Sequence, residues 1–478
     1  VMSSSPITSL NTLLNKAAMT FSTNIINRND TTKNETNDSK LAPIDQVNSY
    51  NEKDTSVDEK YRFIGEKIVG FLPTSDYQRH ALHYVLKGIG YLPDPLLEHL
   101  VGYLKGPTSK QYSHANAHLR LIIGANSKLK TPLQLDKMAE LRKRFAADAV
   151  AMQDPKVWQQ ASFTKLSPFK LTKDKLAPVN WHDETIGNAD DDDMTVRCYQ
   201  AGVYSKKNHN TDQTVMLFLH GGGFCIGDID THHEFCHAVC AQTGWSVVSV
   251  DYRLAPEYSA PTAFRDVVAA YSWLADNADT LGASSSRIVL AGDSAGGGMS
   301  TLVAQQISKP TEQAWLDLGS EGQIVYQTLK TLPKPMAQMP LYPVTDIETD
   351  YPSWELYGEG LLLDHADVAI FDAAFLHNSP LPREHVLISP IHGDNSEVCP
   401  TYIVASELDV LRDQSFVYAE QLKSHSIAVE TYTVLGAPHG FIHLMSVHKG
   451  LEQETGYIIN DFARFVREVI SAQALLAA

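Results

Sequence analysis

The spacing of apolar and polar positions divides the chain into three parts. Residues 1–60 are rich in Ser, Thr, Asn, Asp and Lys and poor in aromatic residues. Such a stretch cannot bury enough apolar area to offset the entropy lost on ordering, so we predict a polar, mobile tail. Residues 61–180 carry apolar side chains at helical spacing, and residues 181–478 contain short apolar runs that are typical of strands.

Several helices are predicted in residues 61–180. Apolar positions recur every three or four residues over 82–89, 96–104 and 133–152, with charged residues between them. Proline interrupts a helix, so we expect breaks at the prolines of this region. These are Pro73, Pro93, Pro95 and Pro107. We expect the helices to pack on the following domain and to form part of a roof over it.

The runs in residues 181–478 predict an α/β fold with a mostly parallel central sheet flanked by helices. The run 215–219 is apolar at every position, as in a parallel strand covered by helices on both faces. Helical patterns separate many of the runs, which is the order that parallel strands require. The predicted strands lie at 194–199, 215–219, 245–250, 288–291, 336–344, 400–406 and 429–435.

A Gly-x-Ser-x-Gly motif follows the run 288–291, with Gly292, Ser294 and Gly296 at its fixed positions. Small residues leave room where a strand turns sharply into a helix and place the serine, exposed, at the turn. The helix that begins there directs free N–H groups towards the serine, which favours an oxyanion. The same motif also occurs by chance in loops of small residues, so other parts of the chain must decide between these interpretations.

A glycine-rich segment, His220-Gly221-Gly222-Gly223, ends the predicted strand 215–219. Glycines allow backbone N–H groups to approach a ligand closely. In acyl transfer such groups, together with the N–H that follows the nucleophile, form an oxyanion hole. The alternative interpretation is a flexible glycine turn.

A nucleophilic serine needs a base, and the base needs an acid that orients it. In this type of fold they follow the serine at the ends of later strands, the acid first and the histidine second. Glu407, Asp409 and Asp413 follow one predicted strand, and His439 and His443 follow the next. The order of these groups therefore predicts a Ser-acid-His site.

Three motifs occur together in one order: His-Gly-Gly-Gly-Phe at 220–224, Asp-Tyr-Arg-Leu-Ala-Pro-Glu at 251–257 and Gly-Asp-Ser-Ala-Gly-Gly at 292–297. In these motifs the chain resembles the hormone-sensitive-lipase-like family of α/β-hydrolases, also called bacterial family IV esterases. The resemblance spans about residues 195–465. It implies an α/β-hydrolase fold with a helical cap, to which the N-terminal helices and an insertion around residues 346–390 contribute.

The resemblance also implies the role of individual residues. Ser294 matches the nucleophile, His439 the general base and Asp409 the acid that orients the base. Glu407 stays as a second candidate for the acid, and His443 as a second candidate for the base or a pocket residue. Asp413 is expected to pair with Arg412 or to cap the helix that begins there. The oxyanion donors would be the N–H groups of Gly222, Gly223 and Ala295.

The cap insertion contains large apolar side chains that could line an acyl or alcohol pocket. Packing in the core is an equally good interpretation for each of them. They are Tyr351, Trp354, Tyr357, Leu361, Leu362, Leu363 and Phe371.

Composition narrows the partners and the compartment. The 478-residue chain has a formal net charge of −17, which disfavours nucleic acid and anionic membrane surfaces. It contains neither an apolar run near the roughly 18 residues of a membrane span nor a basic and then apolar N-terminus, so we expect no stable membrane insertion and no secretory signal. Five cysteines do not suggest a disulfide framework, and we expect a reducing, cytoplasmic location.

The segment 231–240 is a candidate metal motif. His233 with His237, and Cys236 with Cys240, stand one helical turn apart, as metal ligands do. The alternative is a helix whose core face contains Phe235, Cys236, Val239 and Cys240. We favour the helix, and we expect no metal or organic cofactor.

We therefore expect a serine carboxylesterase that acts on short- to medium-chain acyl esters; the chain-length preference follows from the resemblance alone. Three alternatives remain: a lipase acting on longer acylglycerols, an amidase or peptidase using the same triad, and a non-catalytic ligand receptor on the same fold. The expected partner is a small-molecule ester. The sequence leaves open whether the chain forms a homo-oligomer.

Overall fold

The computed structural model describes residues 76–104, 111–160, 178–202 and 213–477. The predicted tail of residues 1–60 and the helical pattern before residue 76 lie outside these ranges. Eight strands in the described residues form one sheet, in the order β1-β2-β4-β3-β5-β6-β7-β8. They are β1 (Val179–Gly187), β2 (Asp193–Ala201), β3 (Gln213–Leu219), β4 (Ser246–Val250), β5 (Ala283–Asp293), β6 (Ala337–Leu341), β7 (Thr401–Leu408) and β8 (Val429–Pro438).

The strand β2 runs antiparallel to both of its neighbours, β1 and β4. The other six strands, in the sheet order β4-β3-β5-β6-β7-β8, are parallel to one another. The predicted α/β fold with a mostly parallel sheet is therefore confirmed. The strand β1 was not predicted from the sequence, because seven of its nine residues are half-buried or exposed, six of them in the run from Asn180 to Thr185, and they carry no continuous apolar pattern.

Thirteen α-helices surround or follow the sheet in the described residues. They are α1 (Asp76–Ile89), α2 (Asp94–Leu104), α3 (Ala117–Leu129), α4 (Met138–Met152), α5 (His233–Thr243), α6 (Thr262–Asn277), α7 (Ala295–Ser308), α8 (Glu312–Leu316), α9 (Gly319–Leu329), α10 (Pro352–Tyr357), α11 (His365–Phe375), α12 (Arg412–Ser424) and α13 (Lys449–Ala477). None of these helices is both long and apolar enough to cross a membrane.

The sheet has an apolar core on each of its faces. Alternate side chains of a strand point to opposite faces, so Val215, Leu217 and Leu219 of β3 pack in one core, and Met216 and Phe218 pack in the other. Burial on both faces explains why β3 is apolar at successive positions. The parallel pairing of β3 with its neighbours and onwards to β8 places the carboxyl ends of these strands at one edge of the sheet.

Ion pairs connect the N-terminal helices to the insertion around residues 346–390. Lys130 follows the end of α3, and its ammonium group donates to Asp364 at 2.7 Å and to Asp367. Asp364 and Asp367 form the capping box of α11. The same ammonium group also lies 3.3 Å from the carbonyl oxygen of Leu362. Two segments far apart in sequence are therefore joined directly.

A buried carboxyl group makes a second connection to the N-terminal region. Glu234 lies in the first turn of α5, and its Oε1 accepts a hydrogen bond of 3.0 Å from the N–H of Asp154, just beyond α4. Burial raises the pKa of Glu234 from 4.5 to about 7. The carboxyl group is therefore protonated more readily in the folded chain than in the unfolded chain.

This shift predicts a pH-dependent stability. Between pH 4.5 and about 7 the folded state binds more protons at Glu234 than the unfolded state, so the contribution of Glu234 to stability falls as the pH rises through this window. Glu234→Gln keeps the oxygen acceptor and removes the titration. We expect its urea-unfolding midpoint to rise relative to wild type when the pH is changed from 5 to 8.

Glu452→Gln is the control, because Glu452 also lies in a first helical turn, that of α13, but is exposed. Its midpoint should follow that of wild type at both pH values. If the Glu234→Gln midpoint also followed wild type, the shifted titration would be contradicted.

Candidate active site

Ser294 stands at a tight turn between β5 and α7. Its φ of +53° lies in the left-handed region, which side chains rarely adopt. The flanking glycines are required by close packing: a Cβ on Gly296 would lie 2.0 Å from the carbonyl oxygen of Leu219, and a Cβ on Gly292 would lie 2.4 Å from that of Gly296. The N–H of Ser294 donates to Leu341 at 2.9 Å. The turn is therefore held against both neighbouring strands.

The structure brings three of the predicted residues into one hydrogen-bonded chain. The Oγ of Ser294 lies 2.8 Å from Nε2 of His439, and Nδ1 of the same ring lies 2.7 Å from Oδ2 of Asp409. The other oxygen of Asp409 accepts a hydrogen bond of 2.8 Å from the N–H of Leu411, and the carboxylate is buried. This arrangement can orient the ring and move a proton between serine and histidine.

The other two carboxylates after β7 are bonded elsewhere. Glu407 accepts a hydrogen bond of 2.6 Å from the N–H of Gly436. Asp413 accepts one of 2.9 Å from the N–H of Ser353 and one of 2.8 Å from Arg412, the pairing that the sequence suggested. Neither carboxylate is placed on the histidine that contacts the serine.

The glycine-rich segment after β3 lies beside the serine. The N–H of Gly221 donates to the carboxylate of Asp293 at 2.7 Å, and Asp293 immediately precedes Ser294. Gly222 and Gly223 have φ values of +119° and +58°. A Cβ on Gly223 would lie 2.4 Å from the ring of Phe371 in α11. The segment therefore passes between the serine and the cap.

The three predicted oxyanion donors lie near one another in this arrangement. Gly222, Gly223 and Ser294 line the same cavity. Ala295 is the first residue of α7, and an N–H in the first turn of a helix has no acceptor within that helix. The backbone around the serine thus contains groups suited to binding an anionic oxygen.

Asp293, the residue before the serine, lies among three histidines, His220, His232 and His443. Burial alone raises the pKa of Asp293, but His232, whose Nε2 lies 3.0 Å away, outweighs it, and the pKa falls to about 2. Burial and His232 lower the pKa of His443 to about 3 and that of His220 to about 4. The ring of His220 stacks on Tyr252 at 4.2 Å.

Most of the candidate metal motif of residues 231–240 lies in α5, and the helix buries the four residues that the sequence placed on its core face. His233 contacts the hydroxyl of Tyr199 at 3.0 Å. In the described residues, two other sets have ligand atoms within 4.8 Å of one another: His182 with Glu184 and Cys198, and His232 with Asp293 and His443. Each set combines residues from separate segments, so no single motif in the sequence indicated it. The buried core face of α5 includes Phe235, Cys236, Val239 and Cys240.

A cavity of about 340 Å³ opens on Ser294 and His439. Of the seven predicted pocket residues, only Leu362, Leu363 and Phe371 line it. The other four pack elsewhere. Tyr351 donates to Asp346, Tyr357 accepts from Arg412, and Trp354 and Leu361 are buried outside the cavity lining. The N-terminal region contributes walls that the sequence analysis did not name, among them Ile122, Leu133, Leu141, Phe145, Ala149 and Met152.

Comparison with known proteins agrees with this geometry. Residues 216–443 match a protein family described as having the alpha/beta hydrolase fold. Lipase 2 of Moraxella sp. strain TA144 is 56% identical over 404 residues, which are 83% of this chain and 92% of that protein. Carboxylesterase NlhH of Mycobacterium tuberculosis is 31% identical over 297 residues, 61% of this chain and 85% of that protein.

Solved structures show the same likeness. A hyperthermophilic esterase from the archaeon Pyrobaculum calidifontis superposes with a TM-score of 0.58 at 25% identity, over 73% of this chain and 97% of that one. The fold and the site thus define an α/β-hydrolase. Within that class the chain belongs to the hormone-sensitive-lipase-like family, and it is a carboxylic ester hydrolase.

Proposed function

We propose that the protein hydrolyses short- to medium-chain acyl esters through a Ser-His-Asp triad and a covalent acyl-enzyme. The observation that carries this proposal is the hydrogen-bonded chain Ser294–His439–Asp409, with distances of 2.8 and 2.7 Å. Ser294 and His439 line a cavity, and the glycine-rich segment lines the same cavity.

In the proposed mechanism His439 takes the proton of Ser294 as the serine oxygen attacks the ester carbonyl. Asp409 orients the ring and stabilises its protonated form. The protonated ring then gives its proton to the leaving alcohol, and the acyl group stays on the serine. A water molecule, deprotonated by the same histidine, releases the acid. The oxyanion of each tetrahedral intermediate would be bound by the N–H groups of Gly222, Gly223 and Ala295.

The size of the cavity supports a short to medium acyl chain. Ligand pockets span about 300 to 1,000 Å³, and about 340 Å³ lies at the lower end of that range. A lipase acting on longer acylglycerols is the second candidate, because the relative that is 56% identical is named a lipase. The serine, histidine and aspartate are all present, which weighs against a receptor that has lost catalysis.

The proposed compartment is a reducing one, the cytoplasm. All five cysteines are free and buried. Disulfides persist mainly in oxidising compartments, so a chain with unpaired cysteines suits a reducing environment.

The first test is hydrolysis of a chromogenic ester series from acetyl to palmitoyl. We expect turnover to be highest for short and medium chains, because longer chains exceed the cavity. Ser294→Ala should abolish turnover, since the nucleophile is lost. Binding of a short-chain substrate to this variant controls for folding. A maximum at palmitoyl would favour the lipase instead, and undiminished turnover in Ser294→Ala would contradict the triad.

The second test separates the two carboxylates that competed for the acid role. Asp409→Asn keeps the shape of the side chain but loses the charge that stabilises protonated His439, so kcat should fall about 10³- to 10⁴-fold. The matched control is Glu407→Gln, at the same strand end, which should stay near wild type. The opposite order of effects would assign the acid role to Glu407.

A further inference from the structure

Arg142 of α4 connects the N-terminal region to the loop that contains Gly222 and Gly223. Its Nε donates to the carbonyl oxygen of Cys225 at 2.8 Å, and its Nη2 donates to that of Ala255 at 3.0 Å. The same guanidinium group pairs with the carboxylate of Glu257 at 2.9 Å. One side chain therefore holds the loop after β3 and the loop after β4 together.

The loop after β3 depends on such contacts, because no strand pairing extends into it. It bends back on itself where the N–H groups of Cys225 and Ile226 both donate to Gly222 at 3.0 Å. Phe224 has a φ of +61°, a left-handed conformation that is strained for any residue other than glycine and persists only where surrounding contacts enforce it; Gly223 beside it has a φ of +58°. The N–H of Ala255 donates to Phe224 at 2.8 Å, which is the crossing point of the two loops.

The two carbonyl groups that Arg142 binds belong to buried residues. Cys225 and Ala255 are 0% and 1% exposed and share a small apolar cluster with Met138 of α4 and Ala374 of α11. Buried carbonyl groups need donors, and hydrogen bonds from a charged donor are about twice as strong as neutral ones. Glu257 balances the charge of the guanidinium group, and Arg142 in turn lowers the pKa of Glu257.

We propose that Arg142 is a positioning residue that holds the N–H groups of Gly222 and Gly223 in place for the oxyanion. This inference rests on the proposed ester hydrolysis. Arg142 lies outside residues 216–443, the part that matches the family. The N–H groups bind the oxyanion more strongly than the substrate carbonyl, so misplacing them lowers kcat and leaves KM nearly unchanged. The loss is the same for every acyl length.

The test compares Arg142→Met and Arg142→Lys with wild type on acetyl and hexanoyl esters, with active serines counted by titration with a phosphonate. Arg142→Met keeps the apolar stem and removes the donors. We expect its kcat per active serine to fall about 10- to 100-fold, and its KM to change by less than about twofold. Lysine keeps the charge, but its donors all lie on one nitrogen and cannot reproduce contacts made from both Nε and Nη2 of arginine, so Arg142→Lys should show a loss of kcat that is smaller than that of Arg142→Met.

Two controls and one inhibitor make the result specific. Lys143→Ala, at an exposed neighbour on α4, should match wild type. Glu257→Gln, which keeps the two carbonyl contacts, should retain kcat within about twofold. A trifluoromethyl ketone forms an oxyanion on the serine, so its inhibition constant should rise in Arg142→Met by the same factor as kcat/KM falls.

If the wild type is active, any of three results would overturn this inference and leave the proposed function standing. They are an unchanged kcat per active serine in Arg142→Met, an increase in its KM that grows with acyl length, or an equal loss of kcat in Glu257→Gln. If Arg142→Met does not fold, Arg142→Lys decides by the same criteria. A wild type that hydrolyses neither ester overturns the proposed function and this inference together.

Discussion

The active-site region depends on how closely the turn at Ser294 packs against the end of β3. The backbone of Gly296 lies so near the carbonyl oxygen of Leu219 that a single added methyl group would come within 2.0 Å of it. Only glycine allows this approach. The approach leaves the serine at the carboxyl end of a parallel sheet with the glycine-rich segment directly beside it. The histidine and the aspartate of the site are positioned around the serine turn and the glycine-rich segment.

The remaining groups reach the site through the order of the parallel strands. Because β6, β7 and β8 lie successively beside β5, the loops after β7 and β8 carry Asp409 and His439 to the same edge of the sheet. On the other side of the serine, Asp293 accepts the N–H of Gly221, so the serine turn and the glycine-rich segment are also linked by a buried hydrogen bond. Asp293 is buried, but His232 beside it lowers the pKa of Asp293 and so keeps the carboxylate charged.

Sequence alone predicted the parts of the structure that obey a local rule. Strands buried on both faces, such as β3, leave continuous apolar runs, whereas the half-exposed β1 leaves none. A Ser-acid-His site was predictable from motif order, because parallel strands end at one edge, and the choice of Asp409 and His439 among the candidates was predictable from the family resemblance. The cavity walls were not. Leu361 and Leu362 are adjacent leucines, yet one is in the core and the other lines the cavity, and tertiary packing alone decides between them.

The N-terminal helices add a second layer of constraint to this arrangement. The helices α3 and α4 supply apolar walls of the cavity, while Lys130 and Arg142 bind the cap insertion and the loops of the sheet. Apolar contacts are non-directional and tolerate changes of shape, but charge-assisted hydrogen bonds to specific oxygens fix position. The apolar walls of the cavity therefore tolerate changes of shape, whereas the polar contacts of Lys130 and Arg142 fix the positions of the helices relative to the serine.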